Sequence, residues 1–257
     1  VNLPTLAGLE GVDSGRVLAR LDLNVPIKDG RVADDTRITA ALPTLKWLLG
    51  RSSVVAACSH LGKAKGEPDP AFSLAPVATE LAEALGRPVT FVPDCLDPSR
   101  VSAESGSLLL LENLRFHPGE KANDTEFAAR LSEPYDVYVN DAFGTAHRAH
   151  ASVEAAARLY AAGRKAAGFL MEREVAALSR VVDQPEQPFV AVVGGAKVST
   201  KTAPLEALAG RVRSLLIGGG MANTFFLAQG FEVGRSLVEE EMVETARAVL
   251  AAASERG

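Results

Sequence analysis

The segment Asp141–Ser152, DAFGTAHRAHAS, places His147, Arg148 and His150 at the end of an apolar run, Val137-Tyr138-Val139. Three potentially cationic side chains so close together, in a chain of formal net charge -5, point to a local trap for a small anion rather than a nucleic-acid surface. The two histidines have no carboxylate or thiol at metal-ligand spacing, so no metal site is assigned to them. The pattern recurs along the chain. Val17 to Leu21 runs into Asp22 and Asn24, Val54 to Cys58 runs into Ser59, His60 and Lys63, and Leu108 to Leu111 runs into Glu112, Asn113 and Arg115.

Each of these runs is short and apolar, without the alternation of a half-exposed antiparallel strand, and amphipathic helical segments separate them. They therefore read as parallel strands covered on both faces. In such a sheet the four polar ends share one edge, where an α/β fold binds its ligands. Asp22, Asn24, His60, Lys63, Arg115 and Arg148 can then converge from distant parts of the chain.

The 257 residues, 47% hydrophobic and 23% charged, suit a globular protein of one large or two ordinary domains. No 18-residue apolar stretch and no secretory signal is recognisable, and Cys58 and Cys95 stand apart as buried reduced thiols rather than a disulfide. Cytoplasmic localisation is the expectation, with no membrane and no nucleic-acid partner. A break is expected at Asp183-Gln184-Pro185-Glu186-Gln187-Pro188. Phe169 to Val182 reads as an amphipathic helix with Leu170, Val175, Leu178, Val181 and Val182 sharing much of one side. Ala151 to Ala167 reads as a packed helix and its turn. After the break, Phe189 to Val193 and Ser214 to Ile217 read as strands and Met242 to Ser254 as a helix, a set too small for an ample core of its own.

The first of those strands leads into Gly194, Gly195, Ala196 and Lys197. Glycines let backbone N–H groups approach an anion, and a following helix would carry Lys197 and Lys201 on one face, able to clamp a polyphosphate. The spacing does not fit the usual phosphate loop, because Ser199 occupies the second glycine's position. Gly218, Gly219 and Gly220 follow the next strand, but Asn223 stands where a dinucleotide-binding turn needs its third glycine.

The chain resembles the phosphoglycerate kinase family in ordered blocks: RLDLNVP at Arg20–Pro26, DDTRI at Asp34–Ile38, SHLGKAKG at Ser59–Gly66, LLLENLRF at Leu109–Phe116, NDAFGTAHRAHAS at Asn140–Ser152, GFLMEREV at Gly168–Val175, GGAKVS at Gly194–Ser199 and IGGGMANTF at Ile217–Phe225. The resemblance implies two doubly wound parallel-sheet lobes joined by a helix: residues 1–168 binding 3-phosphoglycerate, a helix and hinge over 169–186, and a nucleotide lobe over 187–257. By the same resemblance, Asp22, Leu23, Asn24, Arg37, His60, Leu61, Gly62, Lys63, Arg115 and Arg148 bind 3-phosphoglycerate or 1,3-bisphosphoglycerate. Lys197, Lys201, Gly194, Gly195 and Gly218 to Gly220 bind ATP or ADP with Mg2+, and Arg37 and Lys197 stabilise the transferring phosphoryl when the cleft closes. The family's usual monomer is implied as well.

Three departures from the family stand out. Lys63 and Ala64 replace Arg-Pro, and a lysine lacks the forked grip of a guanidinium on phosphate. Thr200 and Thr202 replace Asp and Ile, removing a carboxylate associated with Mg-nucleotide. The later segments of the nucleotide lobe are not represented, so the nucleotide lobe is expected to be partial. Two readings follow: a phosphotransferase of glycolysis, or a phosphoglycerate-binding module, fragment or shortened relative, that binds without efficient turnover.

Overall fold

Apolar strands that side chains flank on both faces organise the first unit. In the computed structural model, residues 3–97, 105–183 and 185–255 are described. In chain order, β1 (Arg16–Arg20) precedes a small antiparallel hairpin of β2 (Ile27–Lys28) and β3 (Arg31–Val32), then α1 (Thr36–Leu49), β4 (Val54–Cys58) and α2 (Ala75–Leu85). There follow β5 (Thr90–Val92), β6 (Ser107–Leu111), α3 (Pro118–Ala122), α4 (Thr125–Ser132), β7 (Val137–Asn140), α5 (Ala156–Leu159) and β8 (Lys165–Ala167). Among the described residues six strands pair in parallel in the order β5-β6-β4-β1-β7-β8.

Successive side chains on a strand point to opposite faces, and each face here has its own core. Val17, Ala19, Val55 and Ala57 pack with Leu45 and Leu48 of α1 and Leu81 of α2. Leu18, Ala56 and Tyr138 pack on the other side with Phe127 and Leu131 of α4 and with Tyr160. Arg20 pairs in register with Cys58 on one side and Asn140 on the other, so the end of β1 lies between the ends of β4 and β7. The chain crosses from one flank of β1 to the other to form β7. That reversal opens a crevice at the C-terminal edge, the expected position for a ligand.

The expected parallel sheet is present, and two short edge strands extend it. β5 and β8 are three residues each, and Lys-Ala-Ala carries almost no strand preference, so tertiary pairing alone decides them. The expectation of helix and turn over Ala151 to Ala167 is corrected accordingly: Ala151–Ala155 forms a π-helical turn, α5 follows, and the end of the segment is β8.

The chain divides into compact units Val1–Ala177 and Leu178–Gly257 within α6 (Phe169–Asp183). The start of α6 is satisfied by Thr44 Oγ1, which accepts from Phe169 N at 2.9 Å, and by Asp141 Oδ1, which accepts from Met171 N at 3.0 Å. The apolar side expected for this helix is not covered at its end: Leu178, Val181 and Val182 are exposed. Gln184 of the expected break lies outside the described residues.

In the second unit, β9 (Val190–Gly194) and β10 (Ser214–Gly218) pair in parallel. α7 (Thr202–Ala209), α8 (Met221–Ala228) and α9 (Val243–Glu255) supply Leu205, Met221, Phe225, Ala246 and Val249 to a small core with Val198. The other face of this two-stranded sheet is bare, with Val192 75% and Leu216 55% exposed. Among the described residues no helix is long and apolar enough to cross a membrane. Local opening is cheapest where little apolar surface is buried. Amide hydrogen exchange followed by mass spectrometry should therefore show β9 and β10 opening at lower free energy than β1 and β4; equal protection of the two sheets would contradict this.

Candidate functional site

Arg20, the last residue of β1, is completely buried, and a buried guanidinium needs a partner for every donor it can satisfy. Its Nε donates to Ser152 Oγ at 2.8 Å, one terminal nitrogen donates to the Leu21 carbonyl, and the other meets His60 Nδ1 at 3.3 Å. Ser152 Oγ in turn donates to Glu120 Oε1 at 2.7 Å, while the Ser152 N–H donates to Oε2 at 2.9 Å. Glu120 is also completely buried. One hydroxyl thus links a buried cation to a buried anion. The Tyr138 hydroxyl holds this hinge point by donating to the Ser152 carbonyl at 2.7 Å.

His60 follows β4 directly and is held by the same guanidinium. A guanidinium can only donate, so Nδ1 accepts and the neutral imidazole proton is assigned to Nε2. Burial, followed by the fields of Arg20, Arg115, His150 and Arg148, pushes the His60 pKa down to about 2. Burial also lowers the Arg115 guanidinium, with Arg148 and Arg20 adding to the effect. His150 is lowered by burial and by Arg115 and Arg148, against the opposing pull of Glu120, whose Oε1 lies 3.8 Å from Nδ1. Arg20 and His60 are in contact at the end of β1, and Arg115, Arg148 and His150 stand near enough for their charges to act on His60.

The loops between strand and ligand edge are tied to one another. Gly62, at φ +62°, donates to Asn24 Oδ1 at 2.8 Å, and its carbonyl accepts from Arg115 at 2.6 Å. A side chain at Gly62 would overlap the Phe72 ring. Asn113 spends its whole amide on the scaffold, accepting from Leu61 N and Arg115 N and donating to the Leu61 and Phe72 carbonyls. Arg37 stands in the first turn of α1 and pairs with Asp22, where Gly144 approaches so closely that an added Cβ would lie 2.6 Å from Asp22 Oδ2.

Of the residues expected at this edge, His60, Arg115 and Arg148 gather in the cationic cluster, and Arg37 joins Asp22, whose field Arg115 also feels. Lys63 is exposed. Leu23 and Leu61 are buried in the core, and their N–H groups, like that of Gly62, are already taken by Ser59, Asn113 and Asn24. These three shape the edge and leave no free donor to a ligand. His147 is exposed beside Arg148, whose Nε donates to it at 3.2 Å. Sequence reasoning missed Arg20 and Glu120 as a linked pair; only Arg20 left a signal, a charge placed inside an apolar run. Among the described residues, Arg115 Nε and His150 Nδ1 are buried without a hydrogen-bond partner, and Nδ1 lies 3.8 Å from Glu120 Oε1.

A cavity of about 640 Å³ is lined by apolar Tyr138, Val153, Ala157 and Met171 and by the cations Arg148, Arg158 and Lys165.

In the second unit, Gly194 and Gly218 are register partners, so the two glycine turns leave their strands together. Gly219 adopts φ +71°, and a side chain there would press on the Gly195 backbone. The expectation that Lys197 and Lys201 share a helix face is corrected, because α7 starts only at Thr202. Ser199 is held instead in a turn, donating through N and Oγ to Glu239 at 3.1 and 2.6 Å, and Val198 is buried beneath it. Those hydrogen bonds keep the Glu239 carboxyl below the usual carboxylate range. Both lysines therefore lie in the loop before α7. This loop fits an anionic phosphate chain. It offers Mg2+ no uncommitted carboxylate, since Glu239 is engaged and position 200 is threonine, so a magnesium ion would have to come with the phosphates that bind it.

A family model described as phosphoglycerate kinase matches residues 9–257. The phosphoglycerate kinase of Thermomicrobium roseum is 55% identical, with 98% of this chain and 64% of the relative covered. That of Akkermansia muciniphila is 50% identical over 94% of this chain and 60% of the relative. Among solved structures, the Coxiella burnetii phosphoglycerate kinase superposes with a TM-score of 0.89 at 43% identity, covering 99% of this chain and 64% of that one. The Pyrococcus horikoshii enzyme gives 0.78 at 32% identity, covering 98% and 64%. The chain thus spans 64% of the length of the first of these relatives.

Removing the buried anion would strand the Arg20 charge. Glu120→Gln is expected to cost about 3 kcal/mol in urea unfolding followed by circular dichroism, and a loss below about 1 kcal/mol would show that Arg20 does not depend on it.

Proposed function

The chain belongs to the phosphoglycerate kinase family, and on that premise we propose that its first unit binds 3-phosphoglycerate for reversible phosphoryl transfer with Mg-nucleotide held by the second. The observation that carries this reading is the buried His60 held by the Arg20 guanidinium at 3.3 Å, with Arg115, Arg148 and His150 near enough for their charges to lower its pKa. In the direction of ATP consumption, a carboxylate oxygen of 3-phosphoglycerate bonds to the γ-phosphorus as the bond to the ADP oxygen breaks. Such transfer asks for in-line placement and neutralised phosphoryl oxygens rather than an activated nucleophile.

Each role follows from the side-chain chemistry. Arg115 and Arg148 neutralise the phosphate, and His60 adds a directional Nε2–H donor that does not change charge near neutral pH. Asp22 and Asn24 take the glycerate hydroxyl. Asp22 also orients Arg37, which together with Lys197 is assigned to the oxygens of the transferring phosphoryl. Lys201 and the glycine turns at Gly194, Gly195 and Gly218 to Gly220 hold the nucleotide. Magnesium, when it enters with that nucleotide, shields the phosphate charge. A charge pair at 4 Å is worth about 1 kcal/mol in water and about 4 at an effective dielectric of 20, so excluding water strengthens every one of these contacts. Cytoplasmic, monomeric operation belongs to the same proposal.

Isothermal titration calorimetry with 3-phosphoglycerate is expected to show saturable binding that Arg115→Met and Arg148→Met each weaken roughly ten- to a hundredfold. Lys63→Arg should strengthen it. Unchanged affinity in both methionine variants would remove the anion site from the account. A coupled ATP-dependent assay then separates the transferase from a module that only binds: the transferase reading expects turnover that Arg37→Ala reduces.

A further inference from the structure

Away from the guanidinium cluster, a second group of side chains has donor chemistry that the reading above leaves unused. Asp94 and Cys95 follow β5, and His117 follows the 3-10 turn Leu114–Phe116 after β6. Because β5 and β6 are adjacent and parallel, the two segments emerge at the same edge. A carboxylate oxygen of Asp94, Cys95 Sγ and an imidazole nitrogen of His117 lie within 4.8 Å of one another. His117 Nε2 is 3.2 Å from Asp94 Oδ1.

We propose that Asp94, Cys95 and His117 form a binding site for a borderline divalent transition metal of the zinc class. The ligand set decides the class: thiolate and imidazole select zinc-like ions over magnesium or calcium, which prefer oxygen alone. The spacing is close to what such an ion requires. Tetrahedral zinc, with bonds of about 2.0–2.3 Å, holds neighbouring donors roughly 3.3–3.6 Å apart. Asp94 Oδ1 and His117 Nε2, 3.2 Å apart, stand close to that separation, and all three donors lie within 4.8 Å of one another.

The surroundings favour binding. Asp94 Oδ1 accepts from Leu96 N at 2.9 Å, which orients the carboxylate. The His117 ring lies 5.4 Å from the Phe127 ring, which limits how it can turn. Cys95 is buried, whereas the side chains of Asp94 and His117 are 55% and 30% exposed, so an ion can enter from solvent and settle on the sulfur. When it binds, a metal–sulfur bond replaces the S–H bond and the thiol proton passes to water. No change of oxidation state is involved. Three protein ligands leave a fourth position for water, which describes an exchangeable site rather than a closed structural one. The occupied site would link the ends of β5 and β6 two residues beyond Arg115.

Cobalt(II) is the probe, titrated into the full chain and read by visible and ultraviolet absorption. The expected result is one equivalent bound with tetrahedral d–d bands and a thiolate-to-cobalt charge-transfer band, displaced by Zn2+. Cys95→Ala should abolish the charge-transfer band, and Cys58→Ser, at the other buried thiol, should leave it intact. Should Cys95→Ala fail to fold by circular dichroism, Asp94→Asn and His117→Gln, on the more exposed ligands, carry the test: each must weaken cobalt binding roughly tenfold or more. Absence of a thiolate band in the parent chain, its survival in folded Cys95→Ala, its loss in Cys58→Ser, or unchanged affinity in Asp94→Asn and His117→Gln would overturn the site. None of these readouts depends on phosphoglycerate binding.

Discussion

The first unit depends on one connection: the buried guanidinium of Arg20 reaching the buried carboxylate of Glu120 through Ser152 Oγ. A charge at the end of a central strand is costly unless its donors are satisfied. Here the partners come from the loop after β4, from the π-helical turn after β7 and from α3, so satisfying Arg20 also locks three separate segments to the end of β1. The same bonds fix where His60 stands, and His150 lies 3.8 Å from Glu120. The proposed anion edge is therefore built on a buried guanidinium and a buried carboxylate that Ser152 Oγ links.

The electrostatic consequence is an edge with more positive charge than it can neutralise internally. Arg115 and Arg148 oppose one another and both oppose protonation of His60. Glu120 offsets Arg20 and His150 but is fully enclosed and engaged by Ser152. Asp22 is committed to Arg37. What remains at the C-terminal edge is net positive charge, which the anion binding proposed above would offset. The second unit differs in kind: its candidate phosphate contacts are glycine turns and two lysines before a helix, over a core with one bare sheet face.

Much of the fold was legible because buried parallel strands read as unbroken apolar runs, and β1, β4, β6 and β7 all do. The convergence of His60, Arg115 and Arg148 followed from placing polar residues at the ends of those runs. β5 and β8 were not legible, because three residues carry no period and their pairing comes from neighbours. Lys197 and Lys201 look like a helical pair by spacing, yet Ser199 finds a better partner in Glu239 and the helix starts later. Arg37 entered through family resemblance, since nothing in local pattern marks it. Arg20 and Glu120 were missed for a related reason: a burial partner distant in sequence leaves no trace in spacing.

The central claim is that burial, reinforced by Arg20 and the neighbouring cations, keeps His60 neutral with its proton on Nε2. Nitrogen-15 NMR of the imidazole ring, followed from pH 8 to pH 4, addresses it directly. The account predicts a His60 signal that stays in the neutral Nε2–H form throughout, with Nδ1 as acceptor, as a pKa pushed down to about 2 requires. A His60 that protonates near its ordinary value of about 6.5, or a proton found on Nδ1 in the neutral form, would contradict it.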